Sequence, residues 1–239
     1  MVTGSTQATA SRAAATRAMS SMARQAATYQ RRNFQRAPRF NAPANNAIKR
    51  LVANAKETGF VDLAAANYAC DTTGSITLLN TIAQGASTSQ RIGKKVMMKS
   101  LQCHGNLLAG TTGTTTDTVV LIVYDKRPVG VLPAITDILN SVQSNSFNND
   151  ANSGRFRILK RWDCVLTGNR TTPATGNEMV EGDFFLKLHD LPVNFKAAGT
   201  GAIGDQEEGS LLLVTAGDVA AGTTAGSFAA AFRLRFVDC

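Results

Sequence analysis

The sequence predicts an all-β protein, a single eight-stranded antiparallel jelly-roll sandwich preceded by a disordered basic N-terminal arm. From about residue 57 onward, short runs rich in Val, Ile, Leu, Phe and Thr are separated by clusters of Gly, Asn and Thr, which is typical of a sandwich. Several runs also alternate apolar and polar residues. Residues 1–50, in contrast, carry 9 Lys and Arg and no Asp or Glu. We therefore divide the chain into an arm, 1–50, and a jelly-roll domain, 51–239.

The arm is rich in Ala, Ser, Thr, Gln and Arg and contains few large aliphatic residues. Such a segment cannot bury enough apolar surface to offset the entropy lost on ordering, so we predict that it is disordered when unbound. Pro38 and Pro43 would end any helix that formed there on binding.

Eight strands are predicted in the jelly-roll domain from the length and alternation of the apolar runs. They lie near residues 59–69, 75–83, 97–107, 118–125, 155–166, 184–191, 210–215 and 228–236.

Alternation also predicts which residues share a face. In the fifth strand the apolar face comprises Phe156, Ile158, Trp162, Cys164 and Leu166, interrupted by Lys160. In the third, Met97, Leu101, Cys103 and Leu107 oppose Met98, Ser100, Gln102, His104 and Asn106. In the eighth, Phe228, Phe232, Leu234 and Phe236 oppose Arg233 and Arg235.

The connections between these strands are long for hairpins. They cover residues 109–117, 126–154, 167–182 and 192–209. Eight strands joined in this way favour a jelly roll. Within the longest connection, residues 133–142 begin with Pro and place apolar residues at helical spacing, which predicts a short helix.

Charge is divided unevenly along the chain. The whole chain has 25 basic and 17 acidic residues; the 9 basic residues of the arm leave 16 basic and 17 acidic residues in 51–239. The arm is therefore +9 and the remainder −1, which indicates a polyanionic partner for the arm, nucleic acid first. No apolar run approaches the roughly 18 residues that span a bilayer, so we expect no membrane partner.

The arm contains the predicted nucleic-acid-binding residues. Guanidinium groups contact phosphates, and the interspersed Tyr29, Phe34 and Phe40 can stack on unpaired bases, which suits single strands without distinguishing DNA from RNA. The predicted set is Arg12, Arg17, Arg24, Arg31, Arg32, Arg36, Arg39, Lys49 and Arg50. A second basic face, which would line the interior of an assembly around the polyanion, is predicted at Arg91, Lys94, Lys95 and Lys99; an ordinary solvated strand face explains those residues equally well. For the arm itself, an organelle transit peptide and a solvated tail remain alternatives.

Catalytic and cofactor chemistry is not indicated. The chain has 2 His residues, His104 and His189, both on polar faces of predicted strands, and no nucleophile elbow of the GxSxG type. We predict no catalytic residue, no cofactor and no metal site. Acidic clusters at 178–183 and 204–209 could hold Ca²⁺ between subunits, although solvated acidic loops are commoner. The four cysteines lack metal-ligand spacing and are expected to be small buried residues, except terminal Cys239.

Three segments together resemble the coat proteins of circular single-stranded DNA viruses, the geminivirus coats and their environmental relatives. They are RIGKKVMMKSLQ at 91–102, VLIVYDKRPVG at 120–130 and RFRILKRWDCVLTGN at 155–169, and their order and spacing carry the resemblance, which runs from about residue 57 to 238. The resemblance implies a satellite-virus-like jelly roll that assembles around a genome with the arm inside. It also implies a nuclear phase in which the arm serves as an import signal.

The sequence therefore predicts a structural capsid protein, located in the virion and, during assembly, in the host nucleus. Its expected partners are copies of itself, about sixty in a minimal icosahedral shell, a single-stranded DNA genome and the nuclear import machinery; no motif identifies a host receptor. The alternatives are a cellular or organellar single-strand-binding protein and an RNA virus coat. A carbohydrate-binding sandwich is a distant third, because the chain has 1 Trp and 3 Tyr to form aromatic platforms.

Overall fold

The computed structural model describes residues 58–111, 115–167, 178–196, 199–222 and 225–239. The predicted arm, residues 1–50, lies outside the described residues. None of the helices in the described part of the chain has the length and hydrophobicity that a membrane span requires.

Ten strands and one α-helical turn organise the described residues. The strands are β1 Thr58–Cys70, β2 Ser75–Leu78, β3 Lys95–Leu108, β4 Thr116–Asp125, β5 Phe156–Leu166, β6 Met179–Glu181, β7 Phe184–Phe195, β8 Gln206–Glu208, β9 Ser210–Gly217 and β10 Gly226–Asp238. The helical turn, α1, is Ile135–Ile138, inside the predicted helix. All eight predicted strands are present, and β6 and β8, of 3 residues each, are additions.

The strands form two antiparallel sheets. One has six strands, in the order β1-β10-β3-β7-β8 with β6 paired to β3, and the other has four, in the order β2-β9-β4-β5. Without the two short strands each sheet contains four, and strands from opposite ends of the chain are neighbours: β1 lies beside β10 and β2 beside β9. This interleaving is that of a double-sheet jelly roll, and the predicted fold class is confirmed.

The main core lies between the sheets and is built around aromatic rings. Phe228, Phe232 and Phe236 are buried at every fourth position of β10, on one face with Ala230 and Leu234. Trp162 of β5 meets Phe228 edge-on at 6.2 Å between ring centroids, and Tyr68 of β1 meets Phe232 at 6.0 Å. Tilted rings at these separations add a favourable quadrupolar interaction to the burial of apolar surface. The core therefore joins strands that are distant in sequence.

A second apolar cluster covers the outer face of the four-stranded sheet. Val119, Leu121 and Val123 of β4 point away from the main core and pack with Ile135 and Ile138 of α1. Because the intervening residues of β4 face the main core, this strand is buried on both faces. That explains why its sequence is a continuous apolar run and shows no alternation.

The predicted faces of β5 and β3 are wrong at one end of each strand, because each contains a β-bulge. In β5 the pairing with β4 shifts at Leu159, so Trp162, Cys164 and Leu166 face the main core while Phe156 and Ile158 face the second cluster. An extra residue reverses the side on which every subsequent side chain points. In β3 the shift occurs at Lys99; consequently Met98, predicted on the polar face, is buried in the main core, and Met97 is not.

Strand β2 ends at Leu78, before the predicted end at 83. Asn80 is buried, and its side-chain oxygen accepts a hydrogen bond from Leu211 N at 2.9 Å while its amide donates to Gly209 O at 3.0 Å. Leu79 N still donates to Leu211 O at 2.8 Å, but the Asn80 side chain takes the place of the backbone carbonyl that would accept from Leu211 N, and the regular ladder with β9 ends there.

The four cysteines are free thiols. Cys70 and Cys103 are buried and Cys239 is exposed, as the sequence predicts, whereas Cys164 is only partly buried. Burial raises the pKa of both Cys70 and Cys103 to about 12. Both buried thiols are therefore protonated and unreactive at neutral pH.

Candidate nucleic-acid interface

The outer face of the six-stranded sheet is open to solvent, unlike the covered outer face of the four-stranded sheet. Its outward side chains come from β1, β3, β7 and β10. The exposed polar and aromatic members are Phe60, Asp62, His104, Phe185, Lys187, Arg233 and Arg235. We refer to this surface as the open sheet face. It presents charged and aromatic groups together on a rigid support.

Strand register aligns these side chains in two adjacent rows across the sheet. The first row crosses four strands in the order β1, β10, β3 and β7. Its members, each paired with the next, are Phe60, Arg235, Ser100 and Lys187. Ser100 is buried, and the longer side chains on either side of it extend outward. The row therefore places two cations and an aromatic ring along one line.

The second row begins with an ion pair between the edge strand β1 and its neighbour β10. Arg233 donates to both carboxylate oxygens of Asp62, at 2.7 and 2.6 Å, and its guanidinium lies 5.1 Å from the centre of the Phe60 ring. The hydrogen bonds from Arg233 lower the pKa of Asp62. The row continues through Gln102 of β3 to Phe185 of β7. The two rows together carry three cations and one carboxylate.

Arg233, Arg235 and Phe185 were not among the predicted binding residues, although the sequence assigned both arginines to a polar face. A signal for Phe185 exists in the segment FFLKL at 184–188. There Phe184 and the two Leu residues face the core, so Phe185 and Lys187 face outward. The two adjacent Phe residues conceal this alternation until the strand's register is known.

His104 lies beside these rows and is held by neighbouring polar groups. Its Nδ1 lies 2.8 Å from the Asp183 carboxylate and its Nε2 lies 2.9 Å from the Gln102 amide. Asp183 also accepts from Gly105 N at 2.8 Å. Both ring nitrogens are thus occupied, and no described hydroxyl or thiol is bonded to His104 for activation as a nucleophile. This arrangement orients a polar side chain and assembles no catalytic triad.

His189, the second histidine, occupies a distorted part of β7. His189 and Asp190 have positive φ angles of 50° and 62°, where the pairing of β7 with β3 shifts register. Asp190 forms an ion pair with Lys99. The charge of Lys99, one of the predicted basic residues, is therefore locally compensated.

Arg91, also predicted on an exposed basic face, is buried instead. Its guanidinium donates to Gly93 O at 2.7 Å and to Lys196 O at 3.5 Å and lies 4.2 Å from the centre of the Phe195 ring. Burial lowers the pKa of Arg91, and the charge of Asp238 opposes that effect. Arg91 therefore holds backbone segments together and is not available to a polyanion.

Lys94 and Lys95 are exposed, as predicted, and the chain before them is anchored by the C-terminal strand. The Asp238 carboxylate accepts hydrogen bonds from the backbone N–H groups of Ile92 and Gly93, the latter at 3.0 Å. Lys94 and Lys95 follow directly at the start of β3. These two lysines are the members of the predicted second basic face that remain exposed and without an ion-pair partner among the described residues.

The arm residues predicted to bind nucleic acid, Arg12, Arg17, Arg24, Arg31, Arg32, Arg36, Arg39, Lys49 and Arg50, lie outside the described residues. Within the described ranges no group of three or more His, Cys, Asp or Glu side chains could hold a metal ion. In the acidic segment 204–209, Asp205 accepts from Thr200 N at 2.8 Å and from Gly201 N at 3.1 Å. That carboxylate is occupied in shaping its own loop.

Comparison with known proteins places the chain in a family. A model of the Geminivirus coat protein/nuclear export factor BR1 family matches residues 3–238. The chain belongs to the geminivirus coat protein family. The capsid protein of Miscanthus streak virus (isolate 91) is a relative of this chain and is 29% identical to it over 163 residues. That alignment covers 59% of this chain and 63% of the relative, less than two thirds of the relative's length. The resemblance predicted from the three segments is confirmed.

Among solved structures, this chain is weakly similar to those of two plant viruses. For Cocksfoot mottle virus the TM-score is 0.34 at 11% identity, covering 75% of this chain and 91% of that chain. For turnip yellow mosaic virus it is 0.31 at 13% identity, covering 77% of this chain and 95% of that chain. The fold assignment rests on the strand order described above.

Proposed function

We propose that this chain is a structural, non-enzymatic coat protein. Copies of it assemble into a small icosahedral shell that packages a circular single-stranded DNA genome through the N-terminal arm. The observation that carries the proposal is membership of the geminivirus coat protein family across residues 3–238. The relative in Miscanthus streak virus is named a capsid protein, and a double-sheet jelly roll is an architecture that viral capsids use.

The charge distribution supports different roles for the two parts of the chain, genome binding for the arm and shell formation for the sandwich. The arm supplies 9 cations without a single carboxylate, whereas the rest of the chain carries 16 basic and 17 acidic residues. A shell of about sixty copies would bring roughly 540 arm charges into one cavity, an effective concentration that an isolated arm does not reach. Genome binding and assembly therefore reinforce each other, while near-neutral sandwiches pack together without strong repulsion.

In this proposal the arm also directs the protein to the host nucleus, where circular single-stranded DNA would be available for packaging. A cluster of Arg and Lys residues without acidic neighbours is the chemistry that import receptors recognise. The protein would then be found in the virion and, during assembly, in the nucleus.

Size-exclusion chromatography of the full chain tests the proposal, with absorbance at 260 and 280 nm and negative-stain imaging of early-eluting material. We expect uniform spheres that contain nuclease-protected nucleic acid. Digestion of the extracted nucleic acid with DNase or RNase then distinguishes a DNA coat from an RNA coat.

The matched variant replaces the nine arm cations by Gln and leaves the sandwich unchanged. It should lose the protected nucleic acid, because phosphate neutralisation supplies most of sequence-independent affinity. A wild-type chain that remains a monomer or small oligomer at all salt concentrations and pH values contradicts the coat proposal. That result favours a single-strand-binding protein instead.

A further inference from the structure

We propose that the open sheet face binds unpaired nucleobases, in addition to the phosphate contacts expected of the arm. The inference rests on the proposed function, because it assumes that the partner is a single-stranded nucleic acid, and it adds a second, folded binding surface. Three features of the described residues support it: a groove, a pair of exposed aromatic rings and two uncompensated cations.

The groove runs between the edge strand and the centre of the sheet. Its volume is about 340 Å³, within the range of small-ligand sites. Its lining has an apolar part, Leu63, Ala64, Ala231 and Phe232, and a polar part, Asp62, Gln102, His104 and Arg233. The charge of Asp62 is compensated by Arg233. Amide and guanidinium groups donate or accept hydrogen bonds at the edges of nucleobases. Both His104 nitrogens and the Gln102 amide nitrogen are already bonded, and Arg233 Nε and Nη2 bond to Asp62. The Gln102 side-chain oxygen and Arg233 Nη1 therefore remain to meet a base edge. A flat ring can therefore lie against the apolar part of the lining with these polar groups at its edge.

Two exposed phenylalanines flank this groove. Phe60 on β1 is 39% exposed and Phe185 on β7 is 59% exposed, although the remaining outward side chains of their rows are polar or charged. Their strands are three spacings apart, about 14 Å at 4.8 Å per spacing, and their rows are two residues apart along the strands. The two side chains therefore start roughly 16 Å apart. Aromatic rings on a sheet surface are platforms on which successive unpaired bases stack, whatever their sequence.

Two cations on the same face are available for phosphates. Arg235 and Lys187 are exposed, and neither forms an ion pair with a described residue. Arg233, in contrast, is held by Asp62, so its charge is compensated and its role is to position Phe60. The rings and the free cations together match the alternating bases and phosphates of a single strand. A duplex, whose bases are already stacked and paired, cannot use the rings.

The test compares a short oligothymidylate with a duplex of the same length, using fluorescence anisotropy and the full chain. The double variant Phe60→Ala/Phe185→Ala should bind the oligothymidylate at least about 25-fold more weakly, since each base–aromatic stack contributes about fivefold or more. Its affinity for the duplex should stay within about twofold of the wild type, because a duplex offers no unpaired base to either phenylalanine and is bound through its phosphates. Phe147→Ala is the matched control: Phe147 is 81% exposed, lies in the connection between β4 and β5, and its replacement should change neither affinity.

A folded double variant that binds oligothymidylate as tightly as the wild type overturns the inference. Circular dichroism establishes whether the variant is folded. Ultraviolet crosslinking of the unmodified chain to oligothymidylate, read by mass spectrometry, gives a second readout that needs no variant. We expect crosslinks at Phe185 and at Phe60, and crosslinks confined to residues 1–50 contradict the proposal.

The two proposals fail separately. Absence of shells in size-exclusion chromatography contradicts the coat assignment and leaves the difference between single strand and duplex measurable. If the chain forms spheres but Phe60→Ala/Phe185→Ala binds oligothymidylate as tightly as the wild type, the sheet-face inference alone is contradicted.

Discussion

The Arg91 side chain connects its own segment to the segment of Phe195 and Lys196, and its removal should be costly. The side chain is buried, bonds to Gly93 O and Lys196 O, and stacks on Phe195. Arg91→Ala leaves both carbonyls without these donors and opens a cavity, so we expect the free energy of unfolding to fall by about 3 kcal/mol. Urea denaturation of unassembled protein measures this change in the free energy of unfolding. Exposed Lys94→Ala should change stability by less than about 0.5 kcal/mol, and equal losses for the two variants would show that Arg91 is not the anchor.

The buried thiols make stability depend on pH at the alkaline end. Burial raises the pKa of Cys70 and Cys103 from 9.0 to about 12, and burial likewise raises the pKa of Tyr124 from 10.0 to about 12. These groups ionise in the unfolded chain before they ionise in the folded one. Their stabilisation is therefore complete below pH 9 and is lost as pH rises toward 12. Urea unfolding between pH 7 and pH 11 should show a falling free energy, and Cys70→Ala/Cys103→Ala should flatten that decline.

Thiol labelling provides an independent check on the same residues. In native protein at neutral pH, exposed Cys239 should react first with a thiol reagent, and Cys70 and Cys103 should react only after denaturant is added. Rapid labelling of all four thiols without denaturant contradicts the burial described above.

At the scale of single residues, exposure is predicted from residue type, and that prediction is wrong for Arg91, whose charged side chain is buried. Arg91 stands in the basic string RIGKK, and nothing local distinguishes it from Lys94 and Lys95. Its partners, Lys196 and Phe195, are more than 100 positions away in the chain. Only the folded register brings them together, so a periodicity argument could not have identified the contact.

At the scale of elements, the turn between β8 and β9 depends on Gly209. This residue has φ +79°, and a Cβ there would lie 2.1 Å from Pro192 O, the oxygen that accepts a hydrogen bond from the Tyr124 hydroxyl at 2.7 Å. Gly209→Ala should therefore lower the free energy of unfolding by at least about 2 kcal/mol. Gly154→Ala is the control, because no atom lies within 4 Å of its Cβ position. Thermal unfolding of the two variants side by side decides the point; matched melting temperatures would contradict it.

Strand positions were predictable, whereas the faces of β3 and β5 were only half predictable. Period-two patterning places an apolar residue inward at every second position, and in β10 it is correct along the strand's whole predicted length. At the bulges, Met97 and Met98 in β3, like Ile158 and Leu159 in β5, are adjacent apolar residues that fit either register. The choice between registers is made by pairing with strands elsewhere in the sheet, which the local sequence does not contain.

At the scale of the whole molecule, the two outer faces of the sandwich differ. The four-stranded sheet is covered by α1 and its neighbours, and the six-stranded sheet carries charged and aromatic groups outward. The sequence predicted the sandwich, and its uneven charge indicated a polyanionic partner for the arm. It could not reveal the open sheet face, because Phe60, Phe185 and Arg235 come from three strands whose adjacency is a product of the jelly-roll order.

The division between arm and sandwich predicts how nucleic-acid affinity depends on salt. Each single-strand phosphate neutralised contributes about 0.7 to the slope of log affinity against log salt. Arg31→Gln/Arg32→Gln should therefore reduce that slope by about 1.4, measured by anisotropy with oligothymidylate. Arg127→Gln/Arg157→Gln removes the same charge from exposed positions of the sandwich, away from the open sheet face, and should leave the slope unchanged. Equal reductions in the two variants would mean that net charge alone governs binding; a reduction confined to the arm variant means that the arm contacts the phosphates directly.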